Sequence, residues 1–179
     1  IDISSCILYG DKIVSEIGNF ILEQGHELHV HLHSEWLIRK WNIQGAFTGP
    51  ASMNLLDRNI NIAFMKFSAF KYRQIFNLEP VLFRAGGFHF NTYTVEGSGL
   101  VGFKMLSNYN ATRHASYFDI SDEGSRNEPF KWGNGLIELP VDFSPEPLSF
   151  VWEKYEGAFD RVRDRKKIKT FNLTLHSWS

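Results

Sequence analysis

The sequence predicts an α/β fold in which parallel strands are joined by helices. Short apolar segments alternate with segments of helical periodicity, and strands that alternate with helices usually pair in parallel through right-handed crossovers. The chain has 179 residues, 43% of them hydrophobic, which is enough for one domain with a substantial core. No segment repeats, so we expect residues 1–179 to form a single domain. Because the chain begins with isoleucine and stops just after an apolar segment, we also expect it to be truncated at both ends.

The first half of the chain is expected to contain three strands and two helices. In order, these are a strand at 1–8, a helix at 11–24, a strand at 27–33, a helix at 51–76 and a strand at 81–84. Gly25 can end the first helix, and residues 45–50 form a loop that contains glycine and proline. The apolar faces of the two helices are expected to comprise, respectively, Ile13, Ile17, Phe20 and Ile21, and Leu55, Leu56, Ile60, Phe64, Phe67 and Phe70.

The second half of the chain is expected to continue the alternation and to end on a strand. Residues 92–106 have helical character weakened by three glycines, and the polar residues that follow indicate an irregular region with a short strand at 117–120. An apolar strand is predicted at 136–141. A charged helix at 153–167 and a final strand at 169–176 complete the pattern.

Charge and composition exclude several classes of protein. The formal net charge is -1, whereas a general nucleic-acid-binding protein usually carries a basic excess, so we expect no nucleic-acid partner. No run of 18 or more apolar residues is present, so no transmembrane helix is expected. Cys6 is the only cysteine, which fits a reducing compartment and a cytoplasmic location.

Histidines are concentrated on one predicted strand. Four of the seven lie within eight residues, and because successive side chains of a strand point to opposite faces, His29, His31 and His33 share one face. Residues two apart on a strand have Cα atoms ~7 Å apart, so His31 and His33 can chelate one metal ion, and Glu35 in the following turn offers an oxygen ligand. The sequence therefore predicts a hydrolase that depends on a divalent metal, with zinc as the expected ion. A surface cluster of histidines is the alternative interpretation.

An arginine followed closely by two glycines ends the next predicted strand. Arg84 lies in the segment Phe-Arg-Ala-Gly-Gly-Phe, in which Gly86 and Gly87 let the backbone turn tightly beside a bound ligand. Because parallel folds gather their sites at the carboxyl ends of strands, Arg84 is expected near His31. There it can orient a carboxylate or bind an oxyanion, although an ordinary salt bridge at a strand end is the alternative. His89 is expected to be a solvated loop residue.

His176 ends the last predicted strand, in the segment Leu-Thr-Leu-His-Ser-Trp-Ser. An imidazole at this edge of the sheet is a candidate general acid, because it can protonate a leaving group near neutral pH. Trp178 can pack beside it. A hydrogen-bonded structural histidine is the alternative role for His176.

Three motifs, taken in order along the chain, resemble those of the polysaccharide deacetylase family, carbohydrate esterase family four with its NodB-homology domain. The segment Gly-His-Glu-Leu at 25–28, with His31 and the Ser-Glu-Trp turn at 34–36, resembles the family's metal-binding second motif. The segment 83–88 is similar to its arginine-containing third motif. The segment Leu-Thr-Leu-His at 173–176 resembles its fifth motif. The chain looks closest to the branch associated with bacterial O-antigen, or lipopolysaccharide, biosynthesis.

The resemblance implies a distorted, incomplete (β/α) barrel of about seven parallel strands. It also implies metal-dependent removal of an acetyl group from an N-acetylated sugar of a bacterial surface polysaccharide or its precursor. In such an enzyme, Arg84 would orient the catalytic aspartate and His176 would be the general acid. Zinc or a similar divalent ion would be held by His31 together with Glu35 or His33. Substrate contacts are expected from Trp36, Gly86, Gly87, Phe88 and Trp178.

The chain also departs from the family's pattern. The family's second metal-binding histidine aligns with Glu35, so either Glu35 or His33 is the second ligand. The fourth motif has only a loose match at 119–122. The first motif, which carries the catalytic base and an acidic metal ligand, belongs to a strand that precedes residues 1–8. We therefore expect the first barrel strand to be missing, Asp2 not to be the base, and this chain to be inactive alone.

Two other functions fit part of the pattern. An amidohydrolase or PHP-type metal-dependent hydrolase also begins with His-x-His at a barrel strand end, but it needs further ligands at later strand ends, where the sequence offers mainly His176. A catalytically inactive barrel that binds carbohydrate through its aromatic side chains would account for the high aromatic content of 15%.

Overall fold

The computed structural model describes residues 1–43, 51–109 and 128–141, except for the side chains of residues 41–43. The helices in these ranges are α1 (Ser5–Tyr9), α2 (Asp11–Glu23), α3 (Ser34–Ile43), α4 (Arg58–Phe76) and α5 (Thr92–Val101). The strands are β1 (Val30–Leu32), β2 (Leu82–Ala85), β3 (Met105–Leu106), β4 (Phe130–Lys131) and β5 (Ile137–Glu138), and short 3-10 turns occur at Met53–Leu55 and Gly86–Phe88. Among these helices, none is both long enough and apolar enough to cross a membrane.

The five strands form one mixed sheet in the order β1-β2-β3-β5-β4. Strands β1, β2, β3 and β5 pair in parallel, and β4 pairs with β5 in the antiparallel direction. Residues 1–3 lie along the other edge of β1, where the amide of Ile3 donates to the His31 carbonyl at 2.9 Å and the amide of His31 donates to the Ile1 carbonyl at 2.8 Å. The predicted α/β class is confirmed. The seven-stranded barrel is not confirmed, because the described residues contain five strands, one of them antiparallel.

Local capping explains three boundaries that differ from the predicted ones. The strand expected at 1–8 ends early because Oδ1 of Asp2 accepts hydrogen bonds from the amide and hydroxyl of Ser4, at 3.0 and 2.5 Å, and this turn leads into α1. Helix α4 begins at Arg58 because Asp57 caps it by accepting from the Ile60 amide at 3.0 Å. Helix α5 stops before Gly102, whose φ of 97° reverses the chain toward β3.

Helix α2 turns a different face to the core than its periodicity predicts. Val14 and Gly18 are buried, and a Cβ atom on Gly18 would lie 2.2 Å from Cε1 of Phe76, so the helix approaches its neighbours most closely along its glycine. Three residues of the expected face are about half exposed or more, namely Ile13 (45%), Ile17 (50%) and Phe20 (63%). Leu55 and Phe70, expected in the second apolar face, are exposed as well.

The hydrophobic core is built mainly from the sheet and from helix α4. Tyr72 of α4 is buried and donates its hydroxyl to the Leu28 carbonyl at 2.6 Å, which joins this helix to the segment that enters β1. Alternate residues of β1 and β2 are buried in the core, and the residues between them, which include His31 and Arg84, are only partly buried. The largest fully buried side chains include Phe64, Phe83, Phe90, Phe103, Leu32 and Leu106.

A buried amide network joins the turn at 53–57 to α4 and α5. Nδ2 of Asn61 donates to the carbonyls of Met53 and Leu56, at 3.1 and 2.9 Å. Nδ2 of Asn91 donates to the same two carbonyls, at 3.2 and 3.1 Å. The hydroxyl of Thr94 donates to Oδ1 of Asn61 at 2.8 Å. The network thus satisfies carbonyls that would otherwise be buried without partners.

We expect Asn61→Ala to lower the free energy of unfolding by about 2–4 kcal/mol, because it removes an amide that is shared by several buried groups. Urea denaturation measures this change. The control is Asn19→Ala on α2. The side-chain amide of Asn19 is exposed and, among the described residues, contacts only Ser15, so this substitution should change the free energy of unfolding by less than about 0.5 kcal/mol. Equal effects of the two substitutions would contradict the structural role of the network.

Candidate metal centre

Polar side chains form a row across three adjacent backbone segments of the sheet. Asp2 pairs with His31, and His31 lies opposite Arg84 in the register of β1 with β2. Residues opposite each other in a sheet project their side chains from the same face. Val30 and Leu32, which alternate with His31, are buried on the other face. The structure therefore brings His31 and Arg84 together, as the pattern of strand ends predicted.

The orientation of His31 is set by the backbone of β2. Its Nδ1 lies 2.9 Å from the Arg84 carbonyl, and because a carbonyl only accepts hydrogen bonds, Nδ1 carries the proton. Nε2 is then the nitrogen with a free lone pair. Burial lowers the pKa of His31 to about 4, although the Asp2 carboxylate opposes this change. His31 is therefore neutral near pH 7, which is the form that binds a metal ion.

His33 follows β1 and packs edge-on against His31, with their ring centroids 4.8 Å apart and an interplanar angle of 85°. Its ring occupies the space that a side chain at Gly86 would need. A Cβ atom on Gly86 would lie 2.4 Å from Nδ1 of His33. This contact gives Gly86 a definite role, since only glycine allows the turn after β2 to approach the imidazole so closely.

Glu35, in the first turn of α3, lies between two imidazoles. Its Oε2 is 3.6 Å from Nδ1 of His33 and its Oε1 is 3.7 Å from Nδ1 of His89, distances typical of ion pairs rather than hydrogen bonds. Burial acts to raise the pKa of Glu35, but the two imidazoles outweigh it and hold that pKa well below its usual range. The carboxylate in turn raises the pKa of His33. His89 is thus a partly buried neighbour of the site, not the solvated loop residue that the sequence predicted.

Asp2, His31 and His33 are arranged as a possible metal-binding set. One ligand atom from each lies within 4.8 Å of the others. Both hydrogen bonds from Ser4 go to Oδ1 of Asp2, so Oδ2 is the oxygen left for an ion. Two imidazoles and a carboxylate suit zinc, which accepts nitrogen and oxygen ligands, and the residues therefore fit such an ion. Asp2 is absent from the predicted ligand set, although a charge within the apolar segment Ile-Asp-Ile is a signal that could have identified it.

Arg84 is held by the residue that follows β3. Its Nε donates to the Ser107 carbonyl at 3.1 Å, and its Nη2 donates to the Ser107 hydroxyl at 2.7 Å. The guanidinium also lies 5.9 Å from the ring centroid of Phe88. Burial lowers the pKa of Arg84, an effect that the carboxylate of Glu138 opposes. Because an arginine pKa starts far above neutrality, the side chain remains a fixed positive charge beside the histidines.

Glu138 supports this arrangement through the residues that follow β3. The sequence pattern does not predict this role. It is fully buried on β5, where Oε1 accepts from the amides of Asn108 and Tyr109, at 2.6 and 2.9 Å, and Oε2 accepts from Nε1 of Trp132 at 2.9 Å. Burial raises the pKa of Glu138, and these hydrogen bonds oppose the rise. Oδ1 of Asn108 then accepts from the Ala85 amide at 2.7 Å, which fixes the end of β2. The detectable signal was a single acid within an otherwise apolar strand.

The predicted substrate contacts that fall within the described residues come shortly after Glu35 or Arg84 along the chain. Trp36 is 40% exposed in the first turn of α3, and the guanidinium of Arg39 lies 5.5 Å from its ring centroid. Gly87 adopts a φ of 59°, as the predicted tight turn requires, and Phe88 is buried. The other predicted positions fall outside the described residues, namely His176, Trp178 and the loose motif at 119–122.

Comparison with solved structures identifies a shared fold. A crystal structure assigned as a polysaccharide deacetylase from Mycobacterium smegmatis is similar to this chain at 15% sequence identity, with a TM-score of 0.50. The similarity covers 90% of this chain and 63% of the other, so this chain spans less than two-thirds of that protein's length. A mutant of a CE4 family pseudoenzyme is similar at 10% identity and a TM-score of 0.36, covering 97% of this chain and 62% of the other. No protein-family model and no curated protein matches the chain.

We expect Gly86→Ala to displace the His33 imidazole, because the added Cβ atom would overlap its Nδ1 edge. A long-range ¹⁵N–¹H correlation spectrum should show shifted ring resonances for His33, and the free energy of unfolding should fall by about 1–3 kcal/mol. The control is Gly133→Ala, where a Cβ atom would meet nothing within 4 Å. Unchanged His33 resonances in Gly86→Ala would show that the close contact is absent in solution.

The lowered pKa of His31 predicts a specific pH dependence of stability in the presence of a chelator. The pKa of His31 is about 6.5 in the unfolded chain and about 4 in the folded protein. Between these values only the unfolded state binds the proton, so stability is lost as the pH falls from the upper to the lower value. Relative to His31→Gln, the wild-type protein should lose up to about 1.4 kcal/mol per pH unit in this window. A constant difference between the two proteins across the window would contradict the buried, neutral imidazole.

Proposed function

We propose that this protein is a metal-dependent deacetylase of the polysaccharide deacetylase type, carbohydrate esterase family four, and that it removes the acetyl group from an N-acetylated sugar. The observation that carries the proposal is the set Asp2, His31 and His33, whose ligand atoms lie within 4.8 Å of one another. The set lies beside Arg84 at the end of β1, where parallel folds place their sites. The fold shared with the Mycobacterium smegmatis structure supports the choice of reaction.

The three residues would hold zinc or a similar divalent ion through Oδ2 of Asp2 and one nitrogen from each imidazole. Three protein ligands with a fourth position open to water are typical of catalytic zinc sites, whereas structural sites are closed by four. When bound, such an ion polarises a carbonyl oxygen and lowers the pKa of water. Burial keeps His31 neutral, and the hydrogen bond from its Nδ1 to the Arg84 carbonyl fixes the orientation of the ring.

Two further residues are assigned roles in the proposed reaction. Arg84, held by Ser107, would orient a catalytic carboxylate through its permanent positive charge. By the resemblance, that carboxylate would be the aspartate of the family's first motif. His176 would protonate the departing amine, a role that rests on the motif it shares with the family.

Substrate binding is assigned to the rim of the site. The exposed indole of Trp36, the residue that follows Glu35, offers an apolar face against which a sugar ring can stack. Gly87 is exposed in the turn after β2 and offers backbone to a ligand, whereas Gly86 and Phe88 on either side of it are buried. We assign the substrate to an N-acetylated sugar of a bacterial surface polysaccharide of the O-antigen type, or to its cytoplasmic precursor.

The test is acetate release by the full-length natural protein from N-acetylglucosamine oligomers in the presence of zinc or cobalt. Chelation should abolish the release and added metal should restore it. His31→Ala should lower kcat/KM by about 1000-fold, as expected when several kcal/mol of metal-dependent stabilisation is lost. The control is His29→Ala, which should leave kcat/KM unchanged. The imidazole of His29 contacts Glu27 at 3.1 Å and does not belong to the set of Asp2, His31 and His33.

Other outcomes would identify other functions. Metal binding with hydrolysis of phosphate esters and no acetate release would favour a PHP-type hydrolase. Oligosaccharide binding with neither metal affinity nor hydrolysis would favour an inactive carbohydrate-binding barrel. Either result would overturn the proposed deacetylase activity.

A further inference from the structure

The surroundings of Glu35 suggest a role distinct from metal ligation. Its two carboxylate oxygens face different imidazoles, at 3.6 Å from Nδ1 of His33 and 3.7 Å from Nδ1 of His89. The side chain is 25% exposed, and Oε2 is a buried oxygen with no hydrogen-bond partner among the described residues. A buried carboxylate oxygen without such a partner is costly, so a small movement of His33 toward Glu35 would be favourable.

The His33 ring has its Nδ1 edge turned toward Gly86 and Glu35. The Cβ position of Gly86 is 2.4 Å from Nδ1 and 2.8 Å from Cε1 of that ring. Nδ1 of His33 therefore has two neighbours, the backbone of Gly86 and the carboxylate of Glu35. With Nδ1 directed at an acceptor, the nitrogen left for a metal ion is Nε2.

We propose that Glu35 is a positioning residue that accepts a hydrogen bond from Nδ1–H of His33 and thereby directs Nε2 of His33 at the metal ion, without binding the ion itself. The inference rests on the proposed metal site and decides between the two ligands that the sequence left open. His31 provides the parallel, because its Nδ1 donates to the Arg84 carbonyl at 2.9 Å. Metal-binding histidines generally donate their second ring nitrogen to a carboxylate or a carbonyl in this way.

The composition of the metal set supports this division of roles. Asp2, His31 and His33 form a complete three-ligand set within 4.8 Å without Glu35. A fourth protein ligand would close the position that a catalytic ion keeps open for water. His89 contacts the second oxygen of Glu35, which restrains the carboxylate in the orientation that faces His33.

The experiment is cobalt(II) titration of the chain, followed by visible absorption, for the wild-type protein and the variants Glu35→Ala, Glu35→Gln, His33→Ala and His31→Ala. We expect Glu35→Ala to weaken affinity by about 10–100-fold, as for loss of an outer hydrogen-bond partner. At saturating cobalt, its spectrum should keep the wild-type position and intensity. Glu35→Gln should recover part of the affinity, because its amide oxygen can still accept from Nδ1–H. His33→Ala should lose more affinity and change the saturated spectrum.

A second measurement does not depend on metal. In the metal-free protein, long-range ¹⁵N–¹H spectra should show His33 as the Nδ1–H tautomer, and Glu35→Ala should shift it toward a mixture. His29→Ala is the control and should leave both the tautomer and the affinity unchanged, because His29 contacts Glu27 instead.

The outcomes separate the inference from the proposed function. If His31→Ala loses affinity but Glu35→Ala binds cobalt as tightly as the wild type, the positioning role is wrong and the metal site stands. If the saturated spectrum of Glu35→Ala changes as that of His33→Ala does, Glu35 is a ligand and the inference is overturned. If the wild-type protein binds no cobalt, both proposals fail. Normal cobalt binding by the chain, together with no acetate release by the full-length protein, would overturn the deacetylase activity alone.

Discussion

The candidate site depends on the register between β1 and β2. With His31 opposite Arg84, Nδ1 of His31 reaches the Arg84 carbonyl at 2.9 Å. A shift of one residue would exchange the faces of β1, bringing Val30 and Leu32 out of the core and the imidazoles into it. Burying polar rings without partners costs free energy, as does exposing the apolar side chains. The hydrophobic core and the polar row therefore favour the same register, and the packing that stabilises the sheet also positions the site.

A second constraint comes from a buried acid on the far side of the sheet. Glu138 accepts hydrogen bonds from two backbone amides of the segment after β3. In the same segment, Ser107 accepts a hydrogen bond from Arg84, and Asn108 accepts one from the amide of Ala85 at the end of β2. The amides of Asn108 and Tyr109 would be left unsatisfied in the interior if the carboxylate were lost, at a cost of about 1–3 kcal/mol apiece. The orientation of Arg84 is therefore determined through hydrogen bonds that begin two strands away.

Strands β1 and β2 and their polar ends could be predicted because the signals are local. Alternation of apolar and polar residues at 27–33 predicts β1 and the shared face of His31 and His33, and the paired glycines after Arg84 predict the turn. Helix faces were harder, because their burial depends on neighbours. Helix α2 buries Val14 and Gly18 and leaves Ile17 exposed, since its approach to Phe76 is closest at the glycine. The two-residue strand β4 is too short to produce a period of its own.

The sequence alone determined the α/β class, the positions of β1 and β2 and the residue types available for chemistry, because these follow from periodicity and turn residues within a few positions. Tertiary structure alone decided which of those residues meet. Asp2 joins the histidines only because residues 1–3 pair with β1, and Glu35 meets His89 only because the segment after β2 lies against the first turn of α3. Such contacts join residues through the pairing and packing of separate segments, so no local pattern along the chain encodes them.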